Sequence, residues 1–367
     1  MAYGQEHIVA DALTGDVLSF DSATGSVRVR KGAAAEELGA CTSLFFPGCS
    51  FINYAMPLVE AVYDTLLGAS EVDGFSPLCC GKILAYEPDG AAMRTAFEQD
   101  LRDHLAQTSI TRIVAACPNC VKALRELLTV EERTSAIEVV PLSKVFADLG
   151  YRLDKAIVAR LLTGDESADV LLCPHDSCPD RDTGEFATSM RALMDESLYG
   201  DPAHNRNRSI CCGSLPRAAG KFEAADRCAM RNLEEAQAVS ADAMVTACMS
   251  CAFQLNMVQR QMPAVHFLEL LYDWRIDWAA ADMWMKLRFL FGDTLGVVEE
   301  EEEAWPEEAA PCEVVAESGR TFAGLGGGLP TVADEAIDAA GATIDEAERA
   351  RGREVTISNE ETKNIGA

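Results

Sequence analysis

Ten of the fourteen cysteines in this 367-residue chain fall into two copies of one five-cysteine pattern. Each copy reads as a single cysteine, then a Cys-Cys-Gly triplet, then a Cys-x-x-Cys pair. The ten positions are Cys49, Cys79, Cys80, Cys117, Cys120, Cys178, Cys211, Cys212, Cys248 and Cys251. A chain of this length has little need of disulfide staples, so the pattern indicates metal or redox chemistry.

The adjacent cysteines are the most informative part of the pattern. Neighbouring side chains on a strand point to opposite sides, so both thiolates can reach one site only at a sharp bend, which Gly81 and Gly213 can supply. A Cys-x-x-Cys pair that opens a helix can aim both thiolates at one metal centre. Five thiolates exceed the four that a tetrahedral zinc or an ordinary cubane cluster takes. The sequence therefore favours an unusual iron-sulfur centre in each copy, with zinc or structural thiols as the alternative.

The two copies lie at a nearly constant offset along the chain. Their first cysteines are 129 residues apart, their Cys-Cys pairs 132 and their Cys-x-x-Cys pairs 131. The surrounding sequence agrees as well, since Pro-Leu-Cys-Cys-Gly at 77–81 recurs as Ser-Ile-Cys-Cys-Gly at 209–213. Matched residues at one offset predict a duplicated domain.

Short apolar runs alternate with longer stretches of helical period in both copies, which predicts α/β domains with parallel sheets flanked by helices. The predicted strands are Ser43–Phe46, Arg112–Ala116, Glu138–Pro141, Asp169–Cys173, Ala243–Ala247 and Ala264–Phe267. The predicted helices are Met56–Leu67, Ala92–Ala106, Val121–Leu128, Phe222–Ala238, Phe253–Gln261, Trp274–Phe291 and Val332–Arg351. Most cysteine stations should therefore follow a strand or open a helix.

The repeat also sets the predicted domain boundaries. Residues 41–150 form the first cysteine-rich domain and residues 165–292 the second, as a pseudo-symmetric pair. Residues 1–40 are an N-terminal extension with a small hairpin around Asp21–Arg30. Residues 297–367 carry 18 acidic and 5 basic side chains and are predicted to be an acidic, partly disordered linker and tail.

Over roughly residues 43–272 the pattern resembles the CCG, or cysteine-rich, domain found in the disulfide-cleaving subunit of heterodisulfide reductase and in its relatives. Phe45-Phe46-Pro47-Gly48-Cys49-Ser50 is similar to the family's opening signature. His175-Asp176-Ser177-Cys178 is similar to the second-domain counterpart, usually His-Asp-Pro-Cys. The resemblance implies a tandem pair of CCG domains, each holding a non-cubane 4Fe-4S cluster on its five cysteines. In heterodisulfide reductase, two such clusters face each other across a cavity and split a disulfide reductively, with one electron from each.

The first gap departs slightly from that family's spacing. Only 29 residues separate Cys49 from Cys79, whereas the 37 residues between Cys41 and Cys79 fit the usual range. The Pro-Gly-Cys context favours Cys49 as the first ligand. The cysteines without an assigned ligand role are then Cys41, Cys173, Cys228 and Cys312. Cys228 lies in a predicted helix, where we expect a buried hydrophobic side chain.

Three other side chains are candidates for the chemistry. Lys82 follows the first Cys-Cys-Gly and could bind an anionic substrate or stabilise a negative cluster; otherwise it is a surface lysine. His175 is a candidate ligand or proton donor that could orient the second cluster. His266 lies in a predicted strand, where a packed core histidine is the more frequent finding.

The net charge argues against nucleic acids and anionic membranes as partners. The chain has 31 basic and 59 acidic residues, a formal charge of -28, which repels nucleic acid phosphates and anionic membrane surfaces. Met1–Thr14 lacks the basic start and apolar run of a secretion signal, and nowhere do about 18 uncharged apolar residues run together. We therefore expect a cytoplasmic protein that does not insert into membranes.

Three functions compete at this stage. The first is an oxidoreductase subunit of a heterodisulfide reductase-like complex, which reduces a disulfide or passes electrons to a small redox substrate. The second is the iron-sulfur electron-transfer subunit of a flavin-dependent lactate or glycolate oxidase type complex. The third is a zinc-stabilised interaction module. The chain has no Cys-x-x-Cys-x-x-Cys-x-x-x-Cys-Pro run, so the redox hypotheses require a ferredoxin-like iron-sulfur subunit, a flavoprotein subunit or both as partners.

Overall fold

The computed structural model describes residues 6–21, 27–32, 41–86, 90–279 and 281. The chain divides into two compact units, Met1–Ala323 and Gly324–Ala367, and every described residue belongs to the first. The predicted tail from residue 297, with its helix at Val332–Arg351, lies outside the described residues.

Strands and helices alternate through most of the chain. The strands are β1 Glu6–Ala10, β2 Val17–Asp21, β3 Val27–Arg30, β4 Ser43–Phe46, β5 Gly74–Phe75, β6 Arg112–Ala115, β7 Glu138–Pro141, β8 Leu172–His175, β9 Ala243–Thr246 and β10 Ala264–His266. The α-helices are α1 Cys49–Gly68, α2 Gly90–Ala106, α3 Pro118–Leu128, α4 Leu142–Asp148, α5 Lys155–Thr163, α6 Glu185–Ala192, α7 Ser214–Ala218, α8 Phe222–Ala238, α9 Met249–Val258 and α10 Phe267–Leu271. Single 3₁₀ turns lie at Lys82–Tyr86, Cys178–Asp180 and Arg206–Arg208.

The first half of the molecule, from β4 to α4, contains a four-stranded parallel sheet. Its strand order is β5-β4-β6-β7, and Leu44 of β4 lies opposite Ile113 of β6. The central strands are apolar at consecutive positions because helices cover the sheet, so residues of both faces are buried. Phe45 and Phe46 are among the largest fully buried side chains.

The second half, from β8 to α10, repeats this arrangement with three parallel strands in the order β10-β9-β8. Equivalent elements keep the offsets of the sequence repeat. The starts of β4 and β8 are 129 residues apart, those of β6 and β9 131, and those of α2 and α8 132. The predicted duplication and the α/β fold with parallel sheets flanked by helices are confirmed.

The two halves share one hydrophobic core. Phe51 and Leu124 of the first half belong to the same buried cluster as Val245 and Phe267 of the second. Contact between α1 and α9 carries this core across the pseudo-symmetric boundary. The two halves therefore pack as one body within the first unit.

Helix α1 begins at Cys49, seven residues before the predicted start at Met56. The predicted start differs from the observed one because Pro57 lies inside the helix and lacks the N–H that a regular turn needs. Ala55 just before it has non-helical backbone angles, so the helix is kinked there. The prediction found only the segment after the kink.

Strand β8 is shifted toward the carboxyl end relative to the predicted Asp169–Cys173. The predicted strand stops just before Pro174, a residue that cannot donate a ladder hydrogen bond. β8 is an outer strand of its sheet, where proline is tolerated, and Pro174 pairs with Val245. His175 is consequently the last residue of the strand.

The predicted helix Trp274–Phe291 is wrong at its start. Residues 274–277 have no regular structure, and helical residues first appear at 278. Asp273 just before this stretch has a left-handed backbone conformation, with φ of 51°. The continuation of the predicted helix from residue 282 lies outside the described residues.

The N-terminal extension contains the predicted hairpin. β2 and β3 pair in antiparallel fashion, and β1 adds a third strand on the other side of β2. Ala12, which follows β1, donates its backbone N–H to the carbonyl of Phe75 and so ties the extension to β5. Among the described residues, no helix is both long enough and apolar enough to span a bilayer.

Candidate metal centre

The single cysteines and the Cys-x-x-Cys pairs lie at the carboxyl ends of the parallel strands. Cys49 and Cys178 each come three residues after a strand, β4 and β8 respectively. Cys117 and Cys248 each come two residues after a strand, β6 and β9. Since parallel strands end at the same edge of their sheet, the fold brings these stations together.

Each Cys-x-x-Cys pair opens a helix, as predicted. Cys117 is the N-cap residue of α3 and Cys248 that of α9, both with extended backbone angles and neither with a side-chain capping bond. Cys120 and Cys251 follow in the first turn. The helix N-terminus favours a thiolate over a thiol, so this placement prepares the sulfurs for metal binding.

The Cys-Cys-Gly triplets form the sharp bends expected of them. Gly81 and Gly213 have φ of +73° and +98°, and the N–H of each points to the Sγ of Cys79 or Cys211 at 3.4 Å. A Cβ on Gly213 would lie 2.4 Å from the carbonyl oxygen of Ala225. Only glycine fits this bend without displacing α8.

The five thiols of each half form a row of neighbours. The Sγ of Cys79 lies 3.6 Å from that of Cys49, and the Sγ of Cys178 lies 4.0 Å from that of Cys211. Hydrogen bonds between side chains continue each row inward. The first row runs Cys49, Cys79, Cys80, Cys120, Cys117, and the second runs Cys178, Cys211, Cys212, Cys251, Cys248.

The two rows meet at the boundary between the halves. The thiols of Cys117 and Cys248 are close enough to affect each other's pKa, which links the two rows. Nearby, the hydroxyls of Ser50 and Ser250 lie 2.7 Å apart. The sites are therefore adjacent and related by the pseudo-symmetry of the duplication.

Three of the thiols have a pKa below the ordinary range. Hydrogen bonds from Cys120 and Cys79 lower the pKa of Cys80 to about 5. Cys178 and Cys212 lower the pKa of Cys211, and Cys117 and Cys251 lower that of Cys248. Each half therefore has at least one sulfur that is readily ionised, as a metal ligand must be.

The structure places Cys49, and not Cys41, beside Cys79. Cys41 lies two residues before β4, at the opposite edge of the sheet. Its Sγ packs so tightly against Gly74 that a Cβ there would lie 2.4 Å away. Burial and a hydrogen bond with Asp73 raise the pKa of Cys41 to about 12, which marks a structural thiol.

The other unassigned cysteines lie apart from the rows or outside the described residues. Cys173 is buried in β8, and burial raises its pKa to about 12. Cys228 lies in α8, as predicted, but it is half-buried, which corrects the expectation of a buried side chain. Cys312 lies outside the described residues.

Lys82 and His266 have different surroundings. Lys82 begins the 3₁₀ turn after Gly81 and is half-buried, and its backbone N–H hydrogen-bonds the Cys80 thiol. His266 is 1% exposed and caps α10, where its Nδ1 accepts the N–H of Leu268 at 3.3 Å. His266 is thus the packed histidine that the sequence favours.

A buried ion pair fixes the segment that leads from β8 to Cys178. Arg191 is 7% exposed and binds both carboxylate oxygens of Asp176, at 2.8 and 2.9 Å. Arg191 also reaches Asp201, and the backbone N–H of Arg206 donates to Asp176 at 2.7 Å. Because every partner is satisfied, the loop carrying Cys178 is held rigidly.

The donor set fits a metal centre. Within the described residues, several buried side-chain polar atoms have no hydrogen-bond partner, and three of them lie at the cysteine stations: Nε2 of His175, Oδ1 of Asn119 and Nε2 of Gln254. Native proteins rarely leave buried polar groups unpaired. Unpaired groups gathered around thiols point to a bound group that would complete them.

Sequence reasoning missed Asn119, Asn232 and Gln254. Asn119 stands inside the first Cys-x-x-Cys pair, which was a usable signal. Gln254 lies three residues after Cys251, on the same face of α9. Asn232, in the middle of α8, gave no signal, because its importance comes from contacts distant in sequence.

The thiols are not arranged as compact zinc sites. In a tetrahedral four-cysteine site, Zn–S bonds of about 2.3 Å place all the sulfurs about 4 Å apart. Within the described part of the chain, the single group of three or more candidate ligands whose atoms all lie within 4.8 Å is His175, Cys212 and Cys251. The remaining thiols lie along the two rows.

Comparisons with known proteins identify the repeated domain. Residues 43–125 and 173–256 each match the CCG family, described as a cysteine-rich domain. The two matches contain all ten cysteines of the pattern. Both copies of the repeat are thus similar to this family, one after the other along the chain. A comparison with curated proteins found no significant match.

Solved structures with some similarity include three racemases. Glutamate racemase isoform RacE1 from Bacillus anthracis shares 9% identity, with a TM-score of 0.31, and the match covers 70% of this chain and 82% of that one. Glutamate racemase from Francisella tularensis in complex with D-glutamate shares 11%, with a TM-score of 0.29 and coverage of 69% and 82%. Picrophilus torridus aspartate racemase shares 11%, with a TM-score of 0.30 and coverage of 67% and 94%. Similarity this low carries no argument about function.

Proposed function

We propose that this protein is an iron-sulfur redox subunit of a heterodisulfide reductase-like complex, with one non-cubane 4Fe-4S cluster in each half. The observation that supports this most strongly is the pair of five-thiol rows at the strand ends, joined through Cys117 and Cys248. The ten cysteines of the pattern would hold the two clusters. Ten ligands in two equal sets match neither a single metal ion nor isolated structural thiols.

The placement of the thiols suits two-electron chemistry. Iron-sulfur clusters supply electrons one at a time, whereas splitting a disulfide takes two. Cys80, Cys120, Cys212, Cys248 and Cys251 are buried, whereas Cys117 at the inner end of the first row is half-buried. The outer pairs, Cys49 with Cys79 and Cys178 with Cys211, are half-buried. Substrate or an electron donor would approach from those outer pairs, where Lys82 could attract an anionic group.

Metal analysis of anaerobically purified protein tests the cofactor. We expect iron and acid-labile sulfide in equal amounts. Cys212→Ser should lose the iron of the second half, because a buried ligand is removed. Cys228→Ser is the matched control and should keep both clusters, since its thiol lies outside the rows. Zinc without iron would refute the proposal and favour the interaction module.

A second assay separates the two redox alternatives. Reduction of a simple disulfide by the chemically reduced protein alone would support heterodisulfide reductase-like chemistry. Turnover only with a flavoprotein partner would favour the electron-transfer subunit of a lactate or glycolate oxidase type complex. A ferredoxin-like subunit would supply the electrons in the first case, since this chain has no run of cysteines for conventional cubane clusters.

A further inference from the structure

One difference between the two sites places a polar ring in the second half where the first half has an apolar one. His175 is the last residue of β8 and comes three residues before Cys178. Phe46 is the last residue of β4 and comes three residues before Cys49. Both side chains are buried, with 4% and 0% exposure. The second half therefore has an imidazole where the first half has a phenyl ring.

Asn232 of α8 fixes the orientation and the tautomer of His175. The Asn232 amide nitrogen donates to the carbonyl oxygens of Cys211 and Cys228, at 3.0 and 2.8 Å. Its Oδ1 must then be the acceptor in the 2.8 Å hydrogen bond with His175 Nδ1. Nδ1 thus carries the proton of the neutral ring. Nε2 is left with a free lone pair.

That lone pair lies among ligand sulfurs. Nε2 of His175 is buried and has no hydrogen-bond partner among the described residues. A ring nitrogen of His175 lies within 4.8 Å of the Sγ atoms of both Cys212 and Cys251. Since Nδ1 is occupied by Asn232, Nε2 is the nitrogen available to that group.

Metal binding changes what Nε2 can contact. In the metal-free protein it could accept a proton from a neighbouring thiol. Once Cys212 and Cys251 are ionised to hold metal, no S–H remains, and Nε2 would be an unpaired buried acceptor, which is unfavourable. A metal ion is the remaining partner for the lone pair. The hydrogen bond from Nδ1–H to an amide oxygen is also the support that metal-binding histidines usually have.

We propose that His175 Nε2 is a metal ligand of the second site, so that this site has five thiolates and one imidazole, whereas the first has thiolates only. The proposal rests on the proposed function for the identity of the metal. An imidazole in addition to five thiolates alters the donor set of the centre without altering the charge of its ligands. The two sites should therefore have different reduction potentials.

Pulsed electron paramagnetic resonance of the full chain tests this ligand. The protein is reconstituted anaerobically with iron and sulfide, once with natural and once with ¹⁵N-labelled histidine, and is chemically reduced. We expect a strongly coupled nitrogen that changes with the label. The label comparison needs no variant, so it stays informative if a substitution prevents folding.

Two variants locate the coupling. His175→Phe, which copies Phe46, should lose the nitrogen signal and shift the reduction potential of one centre only. His204→Gln, at an exposed histidine, should retain the nitrogen signal and leave both reduction potentials unchanged. Loaded clusters without a coupled histidine nitrogen would overturn the proposal. So would a deuterium-exchangeable proton in place of strong nitrogen coupling, because that result means a hydrogen bond from imidazolium.

Metal content separates this proposal from the proposed function. Should the protein hold zinc and no iron, the redox function fails, but X-ray absorption at the zinc edge still tests the ligand. A nitrogen shell that disappears in His175→Phe would support His175 as a ligand of zinc. Coordination by sulfur alone would overturn it, and a protein that binds neither metal would overturn both proposals.

Discussion

Gly48 occupies the narrowest point of the first site. Its backbone angles are φ 81° and ψ 154°, a region that is open essentially to glycine. A Cβ at this position would lie 2.8 Å from the Sγ of Cys120 and 3.4 Å from the Cβ of Cys117. The chain thus passes directly over the Cys-x-x-Cys pair on its way from β4 to α1.

We expect Gly48→Ala to impair metal binding in the first half alone. The added methyl group must displace the Cys120 sulfur or the backbone, and ligand positions tolerate little displacement. Iron bound per chain, measured after anaerobic reconstitution, should fall while the second site stays loaded.

Gly164→Ala is the control for Gly48→Ala. Gly164 also has a positive φ, of 82°, but nothing lies within 4 Å of its Cβ position. It should cost about 1–2 kcal/mol of stability from the left-handed backbone and leave iron binding unchanged. Equal iron content in the two variants would contradict the importance of the Cys120 contact.

The sequence predicted the individual cysteines better than the residues that support them. The Cys-Cys-Gly bend follows from covalent neighbours, so Gly81 and Gly213 could be assigned without a structure. Asn232 and His175 are 57 residues apart, and their hydrogen bond depends on how α8 packs beside β8. No local pattern encodes that packing.

At the scale of elements, the start of α10 has two buried titratable groups whose contributions to stability change with pH in opposite directions. Burial lowers the pKa of the His266 ring to about 3 and raises that of the Glu269 carboxyl to about 7. The Glu269 carboxylate accepts the backbone N–H groups of His266 and Ile276, at 2.7 and 2.8 Å. Both residues belong to one capping box.

The two groups affect stability with opposite signs. Unfolded histidine binds a proton below about pH 6.5, but folded His266 does not until about pH 3, so its contribution to stability falls as the pH drops through that window. Folded Glu269 keeps its proton up to about pH 7, whereas the unfolded residue loses it near pH 4.3. Its contribution falls as the pH rises. Between about pH 4.5 and 6.5 the two trends nearly cancel.

His266→Asn should expose the Glu269 trend. Asparagine keeps the backbone N–H for Glu269 and offers a capping oxygen to Leu268. The free energy of unfolding should then decrease between pH 4.5 and 7, relative to the unsubstituted protein, by on the order of 3 kcal/mol. Urea unfolding of the metal-free, reduced protein at several pH values measures this. An unchanged pH profile would show that the two residues do not titrate as described.

The positions of helices and strands were predictable where the apolar periodicity of the sequence was uninterrupted. Phe222–Ala238 was predicted correctly at both ends, because its apolar period is uninterrupted. The two errors at prolines have a common cause. Pro57 and Pro174 are tolerated because of a helix kink and an outer strand position, and both depend on tertiary context.

At the scale of the whole molecule, aromatic packing joins the halves beside the thiols. Tyr54 of α1 stacks on Phe253 of α9, with ring centroids 4.8 Å apart and an angle of 16° between the planes. Both rings are half-buried. The duplication was evident from the sequence, but this face-to-face contact was not, since a repeat does not specify how its copies pack.

A double-mutant cycle measures the strength of this contact. Tyr54→Ala, Phe253→Ala and the double variant should show a coupling of about 0.5–1.5 kcal/mol in the free energy of unfolding. As a control, Tyr151→Ala combined with Phe253→Ala should be additive, because Tyr151 packs on Phe146 instead. No coupling between Tyr54 and Phe253 would mean that the halves are not docked as described.

The contact between the thiols of Cys117 and Cys248 has a practical consequence for anyone who wants to divide this protein. A cut between α5 and β8 looks natural from the gene, because it separates two complete copies of the cysteine pattern. In three dimensions that cut would separate Cys117 from Cys248 and divide the hydrophobic core that the two halves share. The smallest piece of this chain that can be handled as a cofactor protein is therefore the joined pair.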